Sequence, residues 1–187
     1  MVADPARRLA TDADIAALPP HLVGEIVGGE LHASPRPASF HATASTMLGA
    51  ELVGPFWRGR GGPGGWVILD EPELHLGADV LVPDLAGWRR ERMPELPEVA
   101  AFTLAPDWVC EVLSPATARL DRVRKLPVFA REGVAHVWLV DPHAQTLEVF
   151  RLEQSRYVLV LTAAADEKVR AEPFDAIELG LDSLWSR

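Results

Sequence analysis

Residues 106–142, PDWVCEVLSPATARLDRVRKLPVFAREGVAHVWLVDP, decide the fold. Two apolar runs, WVCEVL at 108–113 and AHVWLVDP at 135–142, are rich in Val, Leu and Trp and read as strands. The second is almost continuously apolar, the mark of a strand covered on both faces, and so belongs near the middle of a sheet. Between them, 117–132 has helical character, but Pro127 removes a backbone donor and costs about 3 kcal/mol inside a helix, so a kink or break is expected there. Strand, helix and strand in succession predict an α/β (α+β) domain: a mixed β-sheet flanked by helices.

Outward from this unit, WVILDEPELHL (66–76), ADVLVPDLAGW (78–88), TLEVFRL (146–152), YVLVL (157–161) and KVRAEP (168–173) read as further strands, and LDSLW (181–185) as a last helical turn. Near the N-terminus, LVGEIVGGELHASP (22–35) places Gly28-Gly29 between two apolar runs, which predicts a tight β-hairpin. Thr11 and Asp14 open a short capped helix that ends before Pro19 and Pro20. From Ser39 to about Phe56, Ala42, Met47, Leu48, Leu52 and Val53 recur on one helical face. The glycine-rich run GPFWRGRGGPGG (54–65) reads as a mobile loop, and without a Gly-Lys-Ser/Thr ending it is not a phosphate-cradling P-loop.

The 187 residues fit one domain, 1–187, with a radius of gyration of about 16 Å. Hydrophobic residues are 48% and charged residues 24%, a globular balance that excludes intrinsic disorder. The longest apolar run, about nine residues at 157–165, falls short of the roughly 20 a membrane helix needs. No secretory pattern follows the N-terminal arginines, so a cytoplasmic location is expected. Cys110 stands alone and reads as a core residue, neither a disulfide half nor a zinc ligand. A net charge of −9 discourages non-specific attachment to nucleic acid, so any phosphate contact has to come from locally placed basic residues.

Three charged residues stand out. Glu111 interrupts Trp108-Val109-Cys110-Glu111-Val112-Leu113, where an ionised carboxylate costs several kcal/mol unless a cation or donors meet it. Strand alternation puts Val109, Glu111 and Leu113 on one face and Trp108, Cys110 and Val112 on the other. The plain reading is a Glu at an exposed strand end or paired with an arginine. Asp84, after Val82-Pro83, is a turn cap by itself. Together with Glu111, 27 residues on, it offers two carboxylates for a hard cation such as Mg²⁺ that keeps several waters. Lys125 lies in the most basic stretch, with Arg119, Arg122, Arg124 and Arg131. It is either the partner of Asp121 in an i, i+4 helix pair or a cation reaching back to a metal-bound water or a scissile phosphate.

LVGEIVGGELHASPRP, His41, VPDLAGW, APDWVCEVLSPAT and DRVRKLPVFAREGVAHVWLVDP together, in order over about 22–150, resemble the Uma-two family of restriction endonucleases with the PD-(D/E)XK nuclease-like fold. The resemblance implies a restriction-endonuclease-like core with an N-terminal β-hairpin, a Mg²⁺-dependent phosphodiesterase (Mn²⁺ substituting) acting on nucleic acid as an endodeoxyribonuclease, and a homodimer. Asp84 matches the PD aspartate and Glu111 the acidic residue of (D/E)XK, with the Val112 backbone carbonyl as a further metal ligand. The motif's lysine would fall at Leu113, a departure from the pattern. Lys125, from the following helix, matches in its place. Glu25 matches the acidic residue of the hairpin, and His41 the histidine after the SPRP-like turn, a site neighbour. Phe129 stands where the family has tyrosine. Arg119, Arg122 and Arg124 would offer phosphate contacts.

His21, His32, His75, His136 and His143 show no metal-binding spacing and read as structural, and Asp141 as a turn cap before Pro142. Ser114 lacks a nucleophile elbow, and the six tryptophans are dispersed, suggesting core rather than a stacking platform. Two rival readings stay open: a catalytically silent nuclease-fold module that binds DNA or protein, and a metal-dependent hydrolase of small phosphate esters. No groove-reading motif is present, so neither DNA against RNA nor any base sequence is specified.

Overall fold

The structure, a computed structural model, describes residues 8–185. Strands β1 (Leu22–Val27) and β2 (Glu30–Pro35) form the expected hairpin, with Val27 opposite Glu30. Gly28 and Gly29, at φ 61° and 77°, supply the two left-handed residues of its tight turn. The short helix α1 (Asp12–Ala16) is closed by Thr11 and Asp14, and α2 spans Ser39–Leu52. Strands β3 (Trp66–Asp70), β4 (Leu74–Leu76), β5 (Asp79–Leu81), β6 (Leu85–Arg89), β7 (Trp108–Val112), β8 (His136–Asp141), β9 (Thr146–Glu153) and β10 (Arg156–Ala164) follow.

Six of them make the main sheet in the order β10-β9-β8-β7-β6-β3, and β2-β1-β5-β4 make a second. Only the β7–β8 pair is parallel among the named strand pairs, with Glu111 opposite Leu139. A parallel pair needs a long crossover, and residues 118–131 provide it. β7 is buried throughout, in keeping with a central strand. Its alternation sorts the core. Trp108, Cys110 and Val112 face α2 residues Ala44, Leu48 and Leu52, while Val109 and Leu113 face the second sheet and the crossover residues Val128 and Phe129. Cys110 is the small core residue expected.

Three local readings are revised. The crossover does not break at Pro127. It runs as α3 (Ala118–Leu120), a π-helical turn at Asp121–Lys125 and α4 (Leu126–Arg131). The wide turn absorbs the defect, and Pro127 falls in the first turn of α4, where its missing donor costs little. The glycine-rich run is an irregular loop only over 58–65. Val53–Trp57 extends α2 as a second π turn with Phe56 buried, and Gly64 N–H then donates to the Pro55 carbonyl. Of KVRAEP only β11 (Lys168–Val169) is a strand, paired with β12 (Leu179–Gly180), and LDSLW is the expected helical turn.

WVILDEPELHL and ADVLVPDLAGW each divide between the two sheets, so the chain crosses twice. The second crossing, 82–84, sets Asp84 at the end of β6 beside the end of β7. No helix among the described residues is long and apolar enough to cross a membrane.

His136 on β8 has its Nε2 3.3 Å from Glu172 Oε2. Burial pulls this imidazole below its ordinary range, and Glu172 only partly opposes the effect. The unfolded chain therefore binds more protons than the native state below about pH 6.5, so folding stability falls as pH drops through that region. His136→Gln should lose this component: between pH 7 and pH 5 its urea midpoint should fall less than the wild type's.

Candidate functional site

At the ends of β1, β6 and β7 the hydrogen-bond ladders run out, and carboxylates take over. Ile26 on β1 pairs with Val80 on β5, but two residues on, at the crossing, Val82 N–H has left the sheet and donates to Glu25 Oε1 at 2.8 Å. β6 pairs with β7 only as far as Leu85 opposite Cys110. One step further, Val112 N–H donates to Asp84 Oδ2 at 2.6 Å. A buried amide without a partner costs about 1–3 kcal/mol, so these contacts fix both carboxylates in place.

The crossover supplies the counter-charge. Lys125 Nζ lies 2.9 Å from Glu25 Oε1, 3.1 Å from Asp121 Oδ1 and 3.3 Å from Glu111 Oε1. Lys125 makes the expected pair with Asp121 one turn away and also reaches Glu111. All four side chains are buried, Lys125 to 3% exposure. Asp121 Oδ1 makes no hydrogen bond, so its contact with the ammonium is electrostatic alone. Asp84, on the neighbouring edge, holds His41 Nε2 at 3.2 Å from its Oδ1.

A cavity of about 300 Å³ opens over this group and is lined by Glu25, Glu71, Asp84, Glu111, Asp121 and Lys125, with His41 and Arg36 beside them. Negative charge is in excess. Burial raises the Glu111 carboxyl well above its ordinary range; Lys125 opposes this, and Asp121, Asp84 and Glu25 reinforce it. Glu71 is raised too, by burial and then by Asp70 and Asp84. Burial works against the Lys125 ammonium, but the surrounding carboxylates outweigh it and lift its pKa well above the usual value. Burial likewise lowers His41, and the hydrogen bond and charge of Asp84 overcome it, leaving the imidazole more basic than usual.

Among the described residues no group of three or more His, Cys, Asp and Glu comes together to hold a metal. Two carboxylates on one cavity wall, carrying surplus negative charge, do fit Mg²⁺, which takes one or two carboxylates and keeps most of its waters.

The structure thus brings Glu25, His41, Asp84, Glu111, Val112 and Lys125 to one cavity. It does not bring the three arginines there. Arg122 pairs with Glu148, Arg124 with Glu30 at 2.9 Å, and Arg119 is exposed and does not line the cavity. The residues not anticipated are Asp121 as a cluster member, Glu71, Arg36 and His143. For Asp121 the signal was present: residues 121, 125, 128 and 129 share one helical face, and Val128 and Phe129 mark it as the buried one. Among residues read as structural, His75 pairs with Glu73 at 2.7 Å and Asp141 caps its turn through the amides of His143 and Ala144.

The Uma2 family model, described as "Putative restriction endonuclease", matches residues 14–182. A solved structure of similar fold, titled a putative nuclease, from Anabaena variabilis ATCC 29413, is 21% identical over 93% of this chain and 96% of its own, with a TM-score of 0.74. No curated protein matches the chain.

Removing the ammonium leaves three buried carboxylates uncompensated, a loss of about 3–5 kcal/mol for a broken buried pair. Lys125→Met should lower the urea midpoint at pH 8 accordingly. Without the lysine, Glu111 rises further above its unfolded pKa, so the native state binds the extra proton and stability falls as pH rises. The deficit should therefore shrink at pH 5, and Lys125→Met/Glu111→Gln should recover part of it at pH 8. A single variant as stable as wild type at pH 8 would show that the ammonium does not balance the cluster.

Proposed function

The chain belongs to the Uma2 family, and on that footing we propose that it hydrolyses phosphodiester bonds of nucleic acid with a divalent metal held by Asp84, Glu111 and the Val112 carbonyl. The observation that carries this reading is the charge balance of the cavity. Five carboxylates, Glu25, Glu71, Asp84, Glu111 and Asp121, line it beside Lys125, Arg36 and His41. A phosphate would be repelled from such a cavity until a divalent cation offset the excess.

When bound, Mg²⁺ would lower the pKa of a coordinated water and neutralise charge developing on the phosphate. The chain's own groups divide the remaining work. Asp84 is held rigid through Oδ2, leaving Oδ1 turned to His41. Lys125 stays protonated and so is no general base. It steadies Glu111 and supplies a fixed cation toward which charge can develop without reorganisation. His41, with its raised basicity, holds a proton at the cavity and is placed to pass it to a leaving oxygen. Glu25 sets the position of Lys125 and of the 82–84 crossing, an outer carboxylate rather than a ligand.

The silent-module reading draws on one observation: the lysine is already engaged by three carboxylates. The test separates the two. Calorimetric titration of Mg²⁺ should show binding to the wild type that is lost in Asp84→Asn and Glu111→Gln. Because burial holds the Glu111 carboxyl high, protons compete with the metal, and affinity should fall as pH is lowered. Labelled single- and double-stranded DNA and RNA should be cut only with metal, and by neither variant. Full cleavage by either variant would overturn the assignment, and metal-independent DNA binding without cleavage would favour the module.

A further inference from the structure

A terminal strand carries a row of amides and carbonyls that a further strand can pair with. Of the four edges of the two larger sheets, three are blunted. β2 ends in Pro35. β4 is bridged to Phe102, whose carbonyl accepts from His75 N–H and whose N–H donates to the Glu73 carbonyl. β3 has only five residues, with Trp66, Val67 and Ile68 buried. β10 differs. It closes the main sheet with nine residues, and among the described residues no strand pairs with its outer side. Between Arg156 and Asp166 the chain reads YVLVLTAAA, with no proline and no charge to discourage a partner. Val158 and Leu159 are 42% and 47% exposed, adjacent aliphatic side chains turned to solvent. The register shift beyond Leu159 does not cover them, because Val160 and Leu161 both pack toward the α2 cluster and the extra residue is absorbed on the core side.

The two ends of this edge carry opposite charge. Arg156 opens β10, and its cross-strand neighbour Glu153 is held by Arg151 at 2.7 Å, so Arg156 is exposed with no ion pair of its own among the described residues. Asp166 and Glu167, just past the strand, are likewise exposed and make no ion pair there. An identical strand running antiparallel to β10 would set each Arg156 beside the other copy's Asp166 and Glu167, twice over, and the uncharged middle of one strand against that of the other. A two-fold axis makes such a surface complementary to itself. The parallel arrangement would put like charges together, which is destabilising. The polarity of the edge therefore selects a second copy of this chain, in one direction.

We infer that two copies of this chain associate through their β10 edges, antiparallel about a two-fold axis near Leu161, joining the two main sheets into one. None of the cavity residues lies on β10, so the inference stands or falls apart from the proposed hydrolysis. One strand pair with two exposed aliphatic side chains on each copy is a small interface, and the association is reversible. Sedimentation equilibrium of the wild-type protein, from low-micromolar to near-millimolar concentration, should fit monomer and dimer with nothing larger, because pairing uses up the edge. Val158→Lys/Leu159→Lys should stay monomeric over the same range and keep the wild-type urea midpoint, since both side chains are exposed. Arg156→Asp should weaken the dimer about tenfold, the loss being doubled by symmetry, and Arg156→Asp/Asp166→Arg/Glu167→Arg should recover most of it. A wild type that is monomeric throughout, a dimer indifferent to the lysine pair, or a charge swap that restores nothing would overturn the inference. Should the lysine pair disturb folding, the charge series decides alone.

Discussion

An ammonium group buried among carboxylates organises this molecule. Lys125 reaches Glu25 on the hairpin, Glu111 on the central strand and Asp121 on its own helical segment, so three separately folded pieces share one point of charge. A buried pair of this kind contributes little net stability compared with an apolar replacement, because desolvation consumes most of the Coulomb gain. What it does fix is geometry. The π turn at Asp121–Lys125 sets the lysine inward while Arg122, Val123 and Arg124 remain exposed. Such turns are often found where a helix serves a site and not merely the core.

The second organising feature is the way strands end. Where the chain passes between sheets at 82–84, the ladder can no longer satisfy the amides of Val82 and Val112, and Glu25 and Asp84 do so instead. The same carboxylates that close the sheets thus define the cavity. Cavity and fold are coupled through backbone amides, which let Glu25 and Asp84 tolerate so apolar a setting.

Much of this was legible in the chain. Continuous apolarity placed 135–142 inside the sheet, the Gly-Gly pair set the hairpin, and the anomalous glutamate within WVCEVL lies on the wall of the carboxylate cavity. The lysine's remoteness from the strand was also readable, since Leu113 occupies the position where the motif would put it, and that residue belongs to the apolar cluster against Phe129. The remainder was not. Whether a surface-looking arginine reaches a cavity or a neighbouring carboxylate depends on side-chain direction in a turn of unusual pitch, and the helical pattern of 117–132 does not announce that pitch. Glu71 arrives at the cavity through a positive φ of 43°, a backbone state that nothing in Asp-Glu-Pro encodes.

The tryptophans divide the molecule optically. Trp108 and Trp138 pack edge-on and Trp66 tilted around Phe174, with centroids 4.9–5.6 Å from it, on the face of the main sheet covered by α2. Trp88 lies on the opposite face with its indole N–H bonded to the Leu104 carbonyl. None of these four lines the carboxylate cavity. Their emission therefore reports the integrity of the sheet and is nearly blind to what occupies the site. Trp185 borders the smaller recess. Trp57 packs against both core clusters, so intrinsic fluorescence in this protein is chiefly a gauge of folding.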